Sequence, residues 1–147
     1  MTDREQTACG LFNSNYNCAQ SVFGAFCDEF GLDDTTALKI ASGFGGGIRQ
    51  GEVCGAVSGA VMAIGLKCGY NGRNGLNHKL YCNEKTVEFT RHFIWENGSV
   101  LCRDLLDSDI RSPEDLKDTA VGEKIEMSCP AFVASAVRIL EKMDFED

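Results

Sequence analysis

Between Asn15 and Phe30, apolar side chains recur at Tyr16, Ala19, Phe23, Phe26, Cys27 and Phe30, the three-to-four-residue spacing of one helical stripe. Gly31 stops that helix, and Asp33 or Asp34 can cap the next, which runs from about 34 to 42 with Ala37, Leu38, Ile40 and Ala41 as its apolar set. A glycine-rich turn follows. After it, residues 52–66 carry no charge beyond Glu52, the pattern of a central helix buried on all sides. Gly55, Gly59 and Ala63 fall at four-residue steps and offer a small-residue face to a neighbouring helix. Lys67-Cys68-Gly69 closes this segment, and Tyr70 to Gly75, YNGRNG, is a loop by its Asn-Gly content.

Residues 77–96 make a longer amphipathic helix, with Leu80, Val87 and Ile94 at seven-residue steps. Gly98-Ser99 breaks it, and a short helix runs through Leu105 and Leu106. Residues 107–128 are mostly polar connection, with a turn or two of helix after Pro113. The last helix runs from about Pro130 to Met143 and is marked by Phe132, Val133, Ala136, Val137 and Leu140. No stretch sustains the period-two alternation of a strand. The expected fold is all-α: a compact single domain over 1–147, a bundle of five or six helices around a central buried helix 52–66, with residues 1–11 as a mobile N-terminus.

Composition narrows the function classes. At 147 residues the chain is long enough to bury ~70% of the surface its unfolded form exposes, so neither metal nor disulfide is needed merely to fold. Its 22 acidic against 14 basic residues leave a net charge of −8, with no Lys or Arg block. Such a surface repels nucleic acid and anionic lipid, so neither partner is expected. The N-terminus, MTDREQTACG, has no apolar signal core. The longest uncharged apolar run, Val53 to Leu66, is too short to span a bilayer. The chain reads as soluble and cytoplasmic, without membrane insertion.

The stretch from Ser42 to Gly65 holds 8 glycines, which raises the question of phosphate binding. Gly46 and Gly51 have the Walker spacing, but Glu52-Val53 stands where the lysine and hydroxyl of GxxxxGK[ST] belong, and no strand precedes. A carboxylate in place of the required cation rules against a phosphate cradle. The glycines are read instead as a tight turn that lets backbones pack closely.

Chemistry then rests on the 8 cysteines, at 9, 18, 27, 54, 68, 82, 102 and 129. No CxxC occurs, so a thioredoxin pair, a zinc ribbon and CxxCH haem attachment all lack a local signature. Any cysteine site must be assembled by the fold. Cys18, Cys54, Cys102 and Cys129 each fall where the pattern places the first turn of a helix, Cys129 because Pro130 follows it. Unpaired N–H groups and the positive end of the helix dipole favour a thiolate there. Arg49 adds a cation near Cys54, and Glu52 opposes it unless it carries a proton or supports the site from outside. Cys9, Cys27, Cys68 and Cys82 are read as packing residues.

Asn17-Cys18, Gly43-Phe44-Gly45-Gly46-Gly47 and the run Gly51-Glu52-Val53-Cys54-Gly55-Ala56-Val57-Ser58-Gly59 also carry a resemblance. The chain resembles a redox-active family defined by four cysteines, the second within a Cys-Gly-Ala-x-x-Gly motif. Cys102 and Cys129 stand in the places of the third and fourth. The likeness runs from about Phe12 to Met143 and implies a helical fold with a redox role. That family is also similar to the non-haem part of split-Soret cytochromes, which carries an iron–sulfur centre. Without CxxCH, the haem function does not transfer.

Two function classes follow. In a redox module, Cys18, Cys54, Cys102 and Cys129 hold an iron–sulfur cluster, with N–H groups of Gly45, Gly46 and Gly47, Arg49 and Glu52 around it, or they work as exchangeable dithiols with Cys54 and Cys18 as the reacting pair and no cofactor. In a structural or regulatory module, the same four thiolates close a zinc site. The partner in either case is another protein, and the small-residue face and aromatics admit a homodimer. His78 and His92, beside Lys79 and Arg91, read as solvated surface groups, and Phe89, Phe93 and Trp95 as core or dimer contacts.

Overall fold

The computed structural model describes residues 1–72 and 75–146, and among these the chain is helical. Seven α-helices and one 3-10 turn are formed: α1 (Asp3–Asn13), α2 (Cys18–Phe26), α3 (Asp34–Ala41), α4 (Gly55–Cys68), α5 (Gly75–Asn97), the single turn α6 (Cys102–Leu105), the 3-10 turn Asp115–Lys117, and α7 (Thr119–Lys142). The described residues contain no strand, only one isolated antiparallel bridge between Val53 and Leu101. The expected YNGRNG loop lies partly outside the described residues, since it includes Arg73 and Asn74. Among the described residues no helix is long and apolar enough to cross a membrane.

The segment expected to be mobile, residues 1–11, forms most of α1. Thr2 caps it by accepting the Glu5 N–H at 3.2 Å, Ala8 is fully buried, and the helix packs on α2 and α7. Its polar sequence hides only a narrow apolar contact, which is why periodicity gave no sign of it. Glu5 is buried there as well and pairs with Arg138 of α7 at 3.8 Å.

α2 begins with a reciprocal cap. The Asn17 side chain accepts the Gln20 N–H at 2.8 Å, and the Gln20 side chain accepts the Asn17 N–H at 3.0 Å. These two bonds satisfy donors that the first turn would leave unpaired. Asn17 also donates to the Ser42 carbonyl at 3.0 Å and so ties the start of α2 to the end of α3.

α4 packs against α2, α5 and α7. It starts three residues later than the pattern suggested, and it is buried all round only in its first half. Val61, Met62 and Leu66 are half-buried and Gly65 is exposed, because the far end of α4 leaves the bundle. Its closest approach is to α2: a methyl group on Gly59 would stand 2.6 Å from the Ala19 carbonyl oxygen, and one on Gly55 2.9 Å from the Ala19 nitrogen.

α5 turns a different face inward than its seven-residue repeat suggested. Phe89 and Phe93 are fully buried and stack on each other with centroids 6.0 Å apart, whereas Leu80, Val87, Ile94 and Trp95 are exposed. The repeat marks a real stripe, but among the described residues no helix covers it.

α7 also departs from expectation. It starts at Thr119, capped by Asp118, and runs through Pro130 instead of beginning there. Pro130 lacks the N–H that would bond to the Glu126 carbonyl, a loss the helix tolerates because Val121, Val133, Ala136, Val137 and Leu140 are buried along one continuous face. The polar connection expected over 107–128 is therefore much shorter.

Gly59→Ala is expected to lower stability by about 1–3 kcal/mol, because the added methyl forces α2 and α4 apart. Gly65→Ala in the same helix meets nothing within 4 Å and should raise stability by ~0.5–1 kcal/mol through helix propensity alone. Denaturant unfolding of the two variants checks the pair; equal effects would show that the close approach is not tight.

Candidate cysteine centre

Four elements bring a cysteine to one place. Cys18 is the first residue of α2, Cys54 caps α4, Cys102 opens α6, and Cys129 projects from the middle of α7. Together with Asn17, Gly46, Arg49 and Gly55 they line a cavity of about 100 Å³. Leu105, Leu106, Ile125 and Phe132 complete its wall and make it apolar. Each of the four cysteines is only 5–8% exposed.

The isolated bridge sets two of them side by side. The Cys54 N–H donates to the Val100 carbonyl at 2.7 Å, and the Cys102 N–H donates to the Glu52 carbonyl at 2.7 Å. These bonds flank Val53 and Leu101, so the starts of α4 and α6 are held in register by backbone alone. Gly55 brings Cys18 in from α2, since a methyl there would stand 3.1 Å from the Cys18 Cβ. Ile125 and Phe132 stand four residues before and three after Cys129, so the helical face of α7 that carries the thiol also carries the apolar wall.

The glycine-rich turn gives the cavity its charged residue. Gly46, Gly47, Ile48 and Arg49 all take left-handed backbone angles, with φ of 63°, 64°, 56° and 61°. For Ile48, branched at Cβ, this costs roughly 1–2 kcal/mol. The left-handed turn ends with Arg49 in the cavity wall, where its charge pulls the Cys102 thiol down. Gly45 packs against Asn17 and Gly47 against the backbone of Glu52; neither lines the cavity. Glu52 contributes only its carbonyl here. Its carboxylate points away and pairs with Arg103 at 3.0 Å.

Helix-start placement was expected to favour thiolates. It holds for the position of three cysteines, since Cys129 is mid-helix, and it does not set the protonation. Burial pushes the Cys54 thiol up to about 12, although the nearby N–H groups of Ala56 and Val57 pull the other way without reaching capping geometry. Burial and the charge of Cys129 likewise push Cys102 up to about 11. Cys18 is raised because it donates its S–H to Cys129, and further by burial. That bond lowers Cys129, against the effect of its own burial. The first negative charge of the group therefore settles on Cys129, and the other three sulfurs keep their protons at neutral pH. Desolvation outweighs the helix start because the thiols have left water altogether.

The cysteines read as packing residues divide. Cys27 is fully buried and donates to the Gly24 carbonyl at 3.3 Å; Cys9 is half-buried and directed at the Pro130 carbonyl at 3.7 Å. Cys68 and Cys82 are half-buried; Cys68 donates to the Ile64 carbonyl at 3.2 Å, and burial, with Cys82 adding to it, pushes its thiol up to about 11. His78 and His92 are exposed, as expected, and neither lines the cavity.

The family model described as "Putative redox-active protein (C_GCAxxG_C_C)" matches residues 16–143. The chain belongs to this family. The match spans all four cavity cysteines and also Gly55 and Gly59, the residues at which α4 meets α2. No curated protein and no solved structure matches the chain.

A thiol with a folded pKa above its ordinary 9.0 holds its proton more tightly in the native state than in the unfolded one. Its contribution is full below about pH 9 and is lost as pH rises through about 11 for Cys102 and about 12 for Cys54. Metal-free protein under reducing conditions should lose stability over that window, on the order of 1.4 kcal/mol per pH unit for each such thiol. Denaturant unfolding at several pH values, compared with Cys54→Ala, checks this; identical slopes for the two proteins would contradict it.

Proposed function

We propose that this protein is a redox module in which Cys18, Cys54, Cys102 and Cys129 hold an iron–sulfur cluster and exchange electrons with a protein partner. The observation that carries this reading is the placement of four sulfurs from four separate elements around one nearly sealed apolar cavity. Among the described residues, no group of three or more His, Cys, Asp or Glu converges closely enough to hold a single metal ion. One zinc at ~2.3 Å from every sulfur needs such convergence. Sulfurs standing around a space suit a larger group, and four thiolates are the ligand set of an iron–sulfur cluster.

When bound, such a cluster supplies single-electron transfer. The chain's own part is fourfold. The four sulfurs give up their protons on coordination, which removes the high cost of ionising Cys54 and Cys102 in an apolar site. Leu105, Leu106, Ile125 and Phe132 exclude water. The N–H groups of Ala56 and Val57 and the charge of Arg49 offset negative charge on sulfur. The left-handed turn holds Arg49 at the wall.

A second reading has one observation behind it. Cys18 and Cys129 interact directly and share a proton, the arrangement of a dithiol able to exchange with a disulfide. In that version Cys129 is the attacking sulfur and Cys18 the resolving one. Cys54, raised to about 12, is poorly suited to attack.

The site's partner is a protein, and the chain also meets a second copy of itself. Leu80, Val87, Ile94 and Trp95 are 54%, 45%, 44% and 86% exposed along one side of α5. Two copies turned head to tail about an axis near Val87 set Leu80 of one against Ile94 of the other. The same turn brings Glu84 of one beside Arg91 of the other, so the charges flanking the stripe are complementary to themselves.

Protein purified without oxygen should contain iron and acid-labile sulfide in comparable amounts and absorb visible light. Cys18→Ser, Cys54→Ser, Cys102→Ser and Cys129→Ser should each lose most of both while keeping a helical circular-dichroism spectrum. Stoichiometric zinc without sulfide would select the structural module, and metal-free protein with a reactive Cys129 the dithiol. For self-association, sedimentation equilibrium should give a dimer that Val87→Glu converts to monomer. A wild-type monomer at micromolar concentration would rule out the α5 contact.

A further inference from the structure

We propose that the cysteine cavity opens to solvent at Arg49 and that this residue makes the opening selective for small anions, so that whatever reaches the four sulfurs from outside carries negative charge. This rests on the four-cysteine centre being a working site, whichever group it holds. Of the described residues that line the cavity, Arg49 alone is exposed; the others are buried or half-buried. The route from water to the thiols, themselves 5–8% exposed, therefore passes this side chain. With a volume of about 100 Å³, the space admits a group of only a few heavy atoms.

The guanidinium is available to such a group. Among the described residues the Arg49 side chain forms no ion pair and no hydrogen bond, whereas Arg4, Arg103, Arg111 and Arg138 each hold a carboxylate. The carboxylates of the neighbouring groove do not cancel its charge, because Arg103 holds Glu52 at 3.0 Å and Arg111 holds Asp109 at 2.7 Å. The chain as a whole carries a net charge of −8, so a mouth without this cation repels anions. One unpaired positive charge at the wall of an apolar cavity reverses that sign locally.

The backbone keeps the charge at the mouth. The Glu52 N–H donates to the Gly47 carbonyl at 3.0 Å, and Gly47 and Gly51 leave no room for a side chain against the backbones of Glu52 and Ile110. These contacts pin both ends of the turn, and Ile48, Arg49 and Gln50 protrude between them, all three exposed. Ile48 and Arg49 stay in the left-handed region, which such residues leave when nothing holds them, because the pinned ends allow no other path. Arg49 sets the selectivity of the entrance and makes no bond itself.

The test compares iodoacetate with iodoacetamide, an anion and a neutral molecule of nearly equal size that alkylate the same thiolate. With either reagent the thiol proton goes to solvent, an S–C bond forms, the C–I bond breaks and iodide leaves. The ratio of the two rates at one cysteine therefore cancels that sulfur's own ionisation. The full-length chain, reduced and stripped of metal, is labelled in buffer and in urea. Trypsin then places Cys102 and Cys129 on separate peptides, residues 92–103 and 125–138. At both cysteines the iodoacetate-to-iodoacetamide ratio should be about tenfold higher in buffer than in urea. Arg49→Lys should keep that ratio, and Arg49→Gln should bring it down to the urea value. A substitution that merely loosens the wall speeds both reagents alike and leaves the ratio as it was. A ratio in buffer equal to that in urea, or a raised ratio that survives Arg49→Gln, would overturn the proposal. Iron and sulfide are measured on the untreated protein, so the absence of a cluster is read separately from this result.

Discussion

The contact between α2 and α4 is made without side chains: Gly55 and Gly59 face Ala19, and a methyl at either place would come within 3 Å of its backbone. This approach puts the first residue of α2 and the cap of α4 against the same space, which is how Cys18 reaches Cys54. The backbone bridge at Val53 and Leu101 then adds Cys102, and the burial of α7 against the same helices adds Cys129. Three of the four thiols are thus placed by main-chain geometry. Side-chain packing decides only the fourth.

Placing four thiols out of water has an electrostatic consequence. Burial raises Cys54 and Cys102, and the bond to Cys129, with burial, raises Cys18; one ionised sulfur makes the next harder to ionise, whereas the hydrogen bond from Cys18 lowers Cys129 alone. Raised in this way, Cys54 and Cys102 are poor nucleophiles. Arg49, held by a left-handed turn that an isoleucine joins at some cost, is the cation the fold itself brings to that wall. Cys18 and Cys129 are sealed among apolar side chains, whereas Cys68 lies at an open cleft.

Much of this could be read along the chain. Helices α2, α3, α4 and α5 follow from periodicity, caps and glycine stops, and the four-residue spacing of Gly55, Gly59 and Ala63 announced a close helix contact. The failures have separate causes. α1 was missed because its apolar contact is narrow. α7 was cut short because Pro130 reads as a first helical position, a local signal that tertiary burial on one face overrode. The exposed side of α5 was indistinguishable from its core side, since a seven-residue repeat says that a stripe exists and not what covers it.

What the sequence by itself determined is the all-helical class, the close approach coded in Cys-Gly-Ala-x-x-Gly, and the set of four cysteines that the family carries. Which cysteines share a cavity, and that Glu52 turns away while Arg49 stays, were decided only by the tertiary structure. Each of these depends on residues distant in the chain sharing one low-dielectric space, and neither spacing nor propensity reports the distance between two sulfurs or the amount of water left around them.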